Sequence, residues 1–145
     1  MSVWNKLKIT TGGNYSHDMV DLLRQCVKTI SPSENGMIDF STVVVPETEV
    51  IHSHTKVNSN ASYIYVVTFV TTNKYPQEWF TQLSIKFPQL KFKLYFFSSS
   101  LEYFGDIKSN NKNIITVIKS TRDPSPQRKL ESENFWNKHF KYSVK

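Results

Sequence analysis

Two histidines separated by one residue, His52 and His54 in the segment IHSHT, are the only close pair of metal-ligating or proton-transferring side chains in the sequence. On a strand such a pair shares one face, where it could supply two metal ligands or a general base. A metal site needs further ligands, and no other Cys/His cluster has metal spacing. A two-histidine phosphodiesterase would have a hydroxyl residue two positions after each of two separated histidines, whereas His54 and Lys56 occupy those positions. We therefore predict no metal, no cofactor and no catalytic residue, and we keep a small enzyme using His52 or His54 as a third hypothesis.

The other reactive side chains favour structural roles. Cys26 is the single cysteine, and it falls on the apolar face of a predicted helix, which indicates a buried core residue and not a nucleophile. Asp18 and Asp21 lie near the start of that helix, where carboxylates are favourable. The pair Gly12-Gly13 is typical of a turn and lacks the surroundings of a phosphate-binding loop. These residues favour a non-enzymatic protein.

The strongest candidate for a binding surface is the segment LKFKLYFF at 90–97. Its apolar residues alternate with Lys91, Lys93, Tyr95 and Phe97, so the basic and aromatic side chains share one face of a strand. Such a face suits nucleic acid, which it would hold by charge and by stacking on bases. The alternative is a solvent-facing strand whose aromatic residues pack on a neighbouring segment. The predicted binding set also includes three later lysines, Lys108, Lys112 and Lys119.

Charge is unevenly distributed along the 145 residues. Residues 1–72 carry five Lys/Arg and six Asp/Glu, whereas residues 73–145 carry thirteen and six, so the net charge of +6 comes from the second half. This asymmetry favours an acidic partner, either nucleic acid or an acidic protein. The alternative is a generic solvated surface, because the charges are scattered singly and form no Arg-rich cluster. There is no secretory signal and no apolar run long enough to cross a bilayer, so we predict an intracellular, soluble protein.

Hydrophobic periodicity predicts the order of the elements. Polar and proline-containing segments separate them, and DPSP at 123–126 breaks regular structure. In the last element Phe135, Trp136, His139 and Phe140 group on one side of a helix. The elements are a strand at 3–11, a helix capped by Ser16, a β-branched run at 38–45, a loop or weakly paired edge ribbon at 47–62, a strand at 63–72, a helix from Pro76 to Phe87, a strand at 90–97, a hairpin of 101–107 and 113–119, and a helix at 130–142.

This order predicts an α+β fold in a single domain, 1–145. The predicted architecture is a ferredoxin-like antiparallel sheet with two helices on one face, formed by about residues 1–107. A C-terminal hairpin and helix, 108–145, follow. The second face of the sheet would be open or covered by the C-terminal segment. Four aromatic residues, Tyr95, Phe97, Tyr103 and Trp136, could form an interface if exposed, and core packing is the expected role for most of them.

Several segments resemble the YubB-type ferredoxin-like family of phage and plasmid proteins. The opening WNKLKITTG resembles that family's first strand and Thr-Gly turn, and IDFSTVVVPETEV resembles its FDFNKIIPMPE region. YVVTFVTTNKYPQEWFTQLSIKFPQLKFKLYFF is similar to its strand-Pro-helix-FP-strand block, and EYFGDI to the aromatic-Gly that follows. The chain has HSHTKVNSNAS where members commonly carry Trp-Gly-Thr-Lys-Trp, and VTTNKYP where they have an acidic-Thr-Ala-Trp-Ser-Pro-Pro turn. The resemblance implies a fold and a setting, an accessory protein of mobile elements, and supplies no catalytic residues.

Three hypotheses for function follow. The first is a non-enzymatic phage or mobile-element protein that binds and modulates a host protein or nucleoprotein in the host cytoplasm, in host takeover or counter-defence. The second is direct binding of DNA or RNA through the basic, aromatic face of the sheet. The third is the small enzyme using His52 or His54. The oligomeric state and the identity of the partner are open at this point.

Overall fold

A computed structural model describes residues 2–11, 17–30, 48–57, 63–110 and 113–141. Six strands and three helices lie in these ranges, and the fold is α+β. The predicted helix cap Ser16, the β-branched run at 38–45 and Lys112 lie outside the described residues. In chain order the elements are β1 (Ser2–Thr10), α1 (His17–Ile30), β2 (Thr48–Val57), β3 (Tyr63–Thr72), α2 (Gln77–Lys86), β4 (Lys91–Ser98), β5 (Tyr103–Asn110), β6 (Asn113–Ser120) and α3 (Pro126–His139).

The strands form one antiparallel sheet in the order β2-β3-β1-β4-β5-β6. The central strand β1 pairs with β3 on one side and with β4 on the other, although both partners are distant in sequence. The segment at 47–62, predicted as a loop or an edge ribbon, contains the edge strand β2, whose register shifts between Val50 and His52. The predicted hairpin is β5 and β6, which extends the sheet beyond β4.

The main core lies between one face of the sheet and residues of α1 and α2. Along β1 the odd-numbered Val3, Leu7 and Ile9 are fully buried in this core, whereas the even-numbered residues from Trp4 to Thr10 are only partly buried. The core includes Leu23 and Cys26 from α1 and Trp79, Phe80 and Leu83 from α2. The burial predicted for Cys26 is confirmed, and burial raises the pKa of its thiol to about 12.

The third helix, α3, packs against the opposite face of the sheet, which we call the outer face. Trp136 contacts Trp4 of β1 and Phe97 of β4, with ring centroids 5.5 Å and 5.0 Å apart. Phe135 lies 5.1 Å from Phe104 of β5. The aromatic side of α3 anticipated from the sequence is therefore the side that contacts the sheet.

Two helix starts differ from the predictions. Pro76, predicted at the first helical position of α2, precedes the helix: its φ and ψ of −84° and 66° are not helical, and its carbonyl accepts the first helical bond from Phe80. The helix α3 begins at Pro126 and not at 130. The hydroxyl of Ser125 accepts a hydrogen bond from the Arg128 amide and caps the helix. Pro126 fits the first helical position, because an amide at that position would have no partner within the helix. The DPSP segment thus begins a helix.

Candidate functional site

Three lysines stand side by side on the outer face. Lys8 of β1 is directly opposite Lys93 of β4, which is directly opposite Lys108 of β5. Directly paired residues on adjacent strands point to the same face, so the three side chains form a line across the sheet, about 5 Å apart at the backbone. We call these residues the lysine row.

Further lysines flank the row. Thr10 of β1 pairs with Lys91, and Lys6 pairs with Tyr95. A cleft of about 230 Å³ is lined by Lys91 and the lysine row, and a neighbouring cleft of about 310 Å³ is lined by Lys6, Lys8 and Lys138 of α3. The two clefts meet at Lys8. We call the six lysines together the basic face: Lys6, Lys8, Lys91, Lys93, Lys108 and Lys138.

Few carboxylates lie near the basic face among the side chains that the structure describes. On the outer face of the five strands with described side chains, β1 and β3 to β6, Asp106 is the single carboxylate residue, opposite Tyr95. Its Oδ1 atom is buried and has no hydrogen-bond partner among the described residues. Burial, together with the charge of Asp106, raises the pKa of Tyr95, so this phenol stays neutral. Among the described side chains of these five strands, lysines therefore outnumber carboxylates on the outer face.

The pKa of His139 is affected by these lysines. The imidazole stacks on the Tyr95 ring at 3.8 Å, and its Nδ1 atom is buried without a hydrogen-bond partner in the described part of the chain. Burial, and then the charges of Lys6, Lys138, Lys93 and Lys8, lower the pKa of His139 to about 4. His139 is therefore neutral at physiological pH, and the chemistry of this face is that of ammonium groups, which bind anions.

The structure places the predicted binding residues in three different environments. Lys91, Lys93 and Lys108 lie on the basic face, as described above. Tyr95 and Phe97 are half-buried: Tyr95 lies under His139, and Phe97 lies against Trp136 and Phe104. Lys119 forms an ion pair with Glu131 of α3, at 2.5 Å. The predicted residues therefore do not form one stacking surface, because α3 covers its aromatic part.

Sequence reasoning missed Lys6, Lys8 and Lys138. The alternation in VWNKLKITT already places Lys6 and Lys8 on one face of the first strand. What the sequence pattern does not state is that this strand lies beside the strand carrying Lys91 and Lys93. Knowing that β1 and β4 are neighbours would have brought all four lysines together.

The histidine pair lies in the edge strand β2. His52 pairs with Thr68 and His54 with Val66, and the side chains of β2 lie outside the described residues. Among the residues that the structure describes, no three His, Cys, Asp or Glu side chains group as metal ligands would.

A larger cleft of about 560 Å³ lies beside the C-terminal half of α3, at Ser132 to Asn137. Its walls include the rings of Trp4, Phe97 and Trp136, and Glu133 is its one charged residue. The rings contact one another, so this cleft is a gap beside the aromatic contact of α3 and lacks the cations of the basic face.

Comparison with protein-family models, with curated proteins and with solved structures finds no match to this chain. Within the described ranges, no helix has both the length and the apolar composition required to span a bilayer. The site must therefore be interpreted from its own geometry.

Proposed function

We propose that the protein is a non-enzymatic binding protein whose basic face holds the phosphate backbone of nucleic acid. The observation that carries the proposal is the lysine row, in which Lys8, Lys93 and Lys108 face one another across three adjacent strands. Like charges placed directly opposite destabilise a sheet, whereas opposite charges stabilise it. A row of three ammonium groups is therefore unfavourable in the isolated protein and becomes favourable when phosphates lie along it.

The covered aromatic residues indicate how the nucleic acid would be held. Base stacking needs exposed rings, and α3 occupies the surfaces of Tyr95 and Phe97 that a base would use. The lysines reach phosphate oxygens without reading base edges. We therefore expect binding with strong dependence on salt and weak dependence on sequence.

The fold and the family resemblance support a setting for this activity. The element order β1-α1-β2-β3-α2-β4, with strands in the order β2-β3-β1-β4, supports a ferredoxin-like core extended by the hairpin and α3. The resemblance to the YubB-type family supports an accessory protein of a phage or plasmid that acts in the host cytoplasm. Of the two kinds of host partner anticipated from the sequence, a protein or a nucleoprotein, the nucleoprotein would offer the phosphates that the basic face requires.

A binding titration tests the proposal. Fluorescence anisotropy of labelled single-stranded and duplex oligonucleotides is measured from low to moderate salt, with the protein and with a Lys8→Gln/Lys93→Gln/Lys108→Gln variant. Each lost phosphate contact lowers the slope of log affinity against log salt by about 0.7 for single strands or 0.9 for duplex. The variant should therefore lose about 2 to 3 from that slope.

The matched control removes the same charge elsewhere. Lys74, Lys86 and Lys129 are exposed and lie in the turn before α2, at the end of α2 and on α3, outside the basic face. Their triple Gln variant should bind nearly as the native protein does. Equal losses in the two variants would mean that net charge alone attracts the oligonucleotide. Absence of binding at low salt would refute the proposal, and it would favour an acidic protein as the partner.

A further inference from the structure

The outer edge of β6 is an apolar strand edge with no described strand beside it. Ile115 and Val117 point to the outer face and are 61% and 43% exposed, and Ile118 points to the other face and is 54% exposed. Natural edge strands are usually protected by charges, proline or bulges. The segment NIITVIKS contains no proline and no bulge, and its one charged side chain, Lys119, is paired with Glu131. The Arg128 side chain covers only the end of this edge, where it donates to the Ser120 carbonyl.

The backbone of β6 is arranged to accept another strand. The Thr121 amide donates to the Glu102 carbonyl one position beyond the β5·β6 ladder. Hydrogen-bonded positions alternate in an antiparallel pair, so odd-numbered residues of β6 direct their amides and carbonyls to β5. The even-numbered Ile114, Thr116 and Ile118 direct theirs outward, to the edge.

We propose that this edge pairs with the same edge of a second copy, antiparallel, about a two-fold axis at Thr116. In this register Ile115 lies opposite Val117 of the other copy and Ile114 lies opposite its Ile118, so every apolar side chain of β6 meets another. Asn113 lies opposite Lys119 of the other copy, so no two side chains of like charge lie opposite each other. Centring the axis on Val117 instead would place Ile115 opposite Lys119, which is less favourable.

Symmetry favours this closed arrangement over a polymer. The other sheet edge, β2, has a register irregularity between Val50 and His52. Bulged edges twist away from pairing, which disfavours a head-to-tail contact between β6 and β2 of the next copy. A two-fold contact uses one surface twice and closes at two subunits. The expected product is a dimer with a continuous twelve-stranded sheet.

Replacing Thr116 with charged residues provides the sharpest test, because in the proposed dimer Thr116 lies on the axis, opposite Thr116 of the other copy. Thr116→Lys and Thr116→Glu variants should each be monomers of 16.9 kDa by light scattering coupled to size-exclusion chromatography. The native protein should have twice that mass. An equal mixture of the two variants should recover the dimer. Thr116 is exposed and its backbone groups do not bond to β5, so both variants should keep the native circular dichroism spectrum.

Cysteine pairing then fixes the register. Mixed Ile115→Cys and Val117→Cys proteins should form an intermolecular disulfide, because non-hydrogen-bonded partners lie about 4.5 Å apart at Cα, within disulfide range. Val117→Cys alone should not. A native protein that is monomeric at its highest soluble concentration, a polymer, charge variants that remain dimers, or a Val117→Cys homodimer disulfide would each overturn the proposal.

Discussion

Replacing His139 with Phe should remove part of the acid sensitivity of the protein. The ring stack on Tyr95, at 3.8 Å, and the contact with Phe135, at 4.7 Å, are compatible with a phenyl ring. The variant therefore keeps the packing of α3 and loses the titrating group. Any difference in the pH dependence of stability between the variant and the native chain then belongs to His139.

The direction of the pH dependence follows from which state, folded or unfolded, binds the proton more tightly. In the unfolded chain an imidazole is protonated as pH falls through its ordinary pKa of 6.5, whereas the pKa of His139 in the fold is about 4. Between these values the unfolded state binds more protons, so the free energy of unfolding decreases as pH falls. Above pH 6.5 both states are neutral and this contribution to pH dependence vanishes.

The magnitude follows from the same two values. At about 1.36 kcal/mol per pH unit, the difference corresponds to roughly 3.4 kcal/mol. His139 is half-buried, and solvent screening reduces the expected effect to about 1 to 2 kcal/mol. Between pH 7 and pH 4 the native chain should lose that much more stability than His139→Phe.

Urea denaturation at several pH values measures the loss, and the imidazole Cε1–H resonance of His139 gives its midpoint by NMR. The His139→Phe spectrum identifies which of the four histidine signals is His139. A midpoint near 6.5, or parallel pH profiles for the two proteins, would refute both the burial and the electrostatic argument.

The same midpoint tests the basic face. A Lys6→Gln/Lys138→Gln variant should raise the pKa of His139, because two of the charges that oppose its protonation are gone. Binding of an oligonucleotide should raise it too, because phosphates neutralise the lysines. Lys74→Gln, outside the face, should leave it unchanged. A midpoint that neither the Lys6→Gln/Lys138→Gln variant nor the oligonucleotide shifts would mean that burial alone sets this pKa.

Three further predictions concern packing and reactivity. Trp136→Ala should lower the free energy of unfolding by about 2 kcal/mol in urea denaturation, because its half-buried ring no longer contacts Trp4 and Phe97. The control is Leu130→Ala, at a site 58% exposed, which should change the free energy of unfolding by less than about 0.5 kcal/mol. Gly105→Ala should destabilise by about 1 to 3 kcal/mol in the same assay, because a Cβ atom there would lie 2.0 Å from the Val117 carbonyl oxygen; native stability would contradict this close approach. Cys26 should resist iodoacetamide in the fold and react in urea, as mass spectrometry would show, because burial raises its pKa to about 12; rapid alkylation of the folded protein would contradict the assigned burial.

Local periodicity predicted the elements that carry their own signals. The β-branched and aromatic run of β3 has its predicted bounds, Tyr63–Thr72, and the change from period four to period two between α2 and β4 marks a real turn. The start of α3 was wrong because Ser-Pro suits both a loop and a helix N-terminus. Only the hydrogen bond from the Arg128 amide to Ser125 distinguishes the two.

The candidate site was predicted only in part, because it depends on which strands are neighbours. Lys91, Lys93 and Lys108 were named from their own segments, but the pairing of Lys93 with Lys8 joins residues 85 positions apart. No local pattern encodes such a contact. Likewise, the aromatic side of α3 indicated a packing surface but not its target, so the sequence left open whether the C-terminal segment covers Tyr95 and Phe97.

Dimerisation through β6 would bring the basic faces of two copies together. A two-fold axis at Thr116, perpendicular to the sheet, keeps the outer faces of both copies on one side. The two Lys108 residues would then be separated by three strand spacings, about 14 Å, and by two residues, about 7 Å, along the strands. The two lysine rows would then follow the twist of one continuous sheet, offset by this distance, and a single nucleic-acid strand could contact both rows. A nucleic-acid strand bound to the lysine row of one copy raises the effective concentration of phosphates at the row of the other copy, so binding of nucleic acid should strengthen dimerisation. The Thr116→Lys and Thr116→Glu proteins would then bind as isolated monomers, with about half the salt dependence of the dimer.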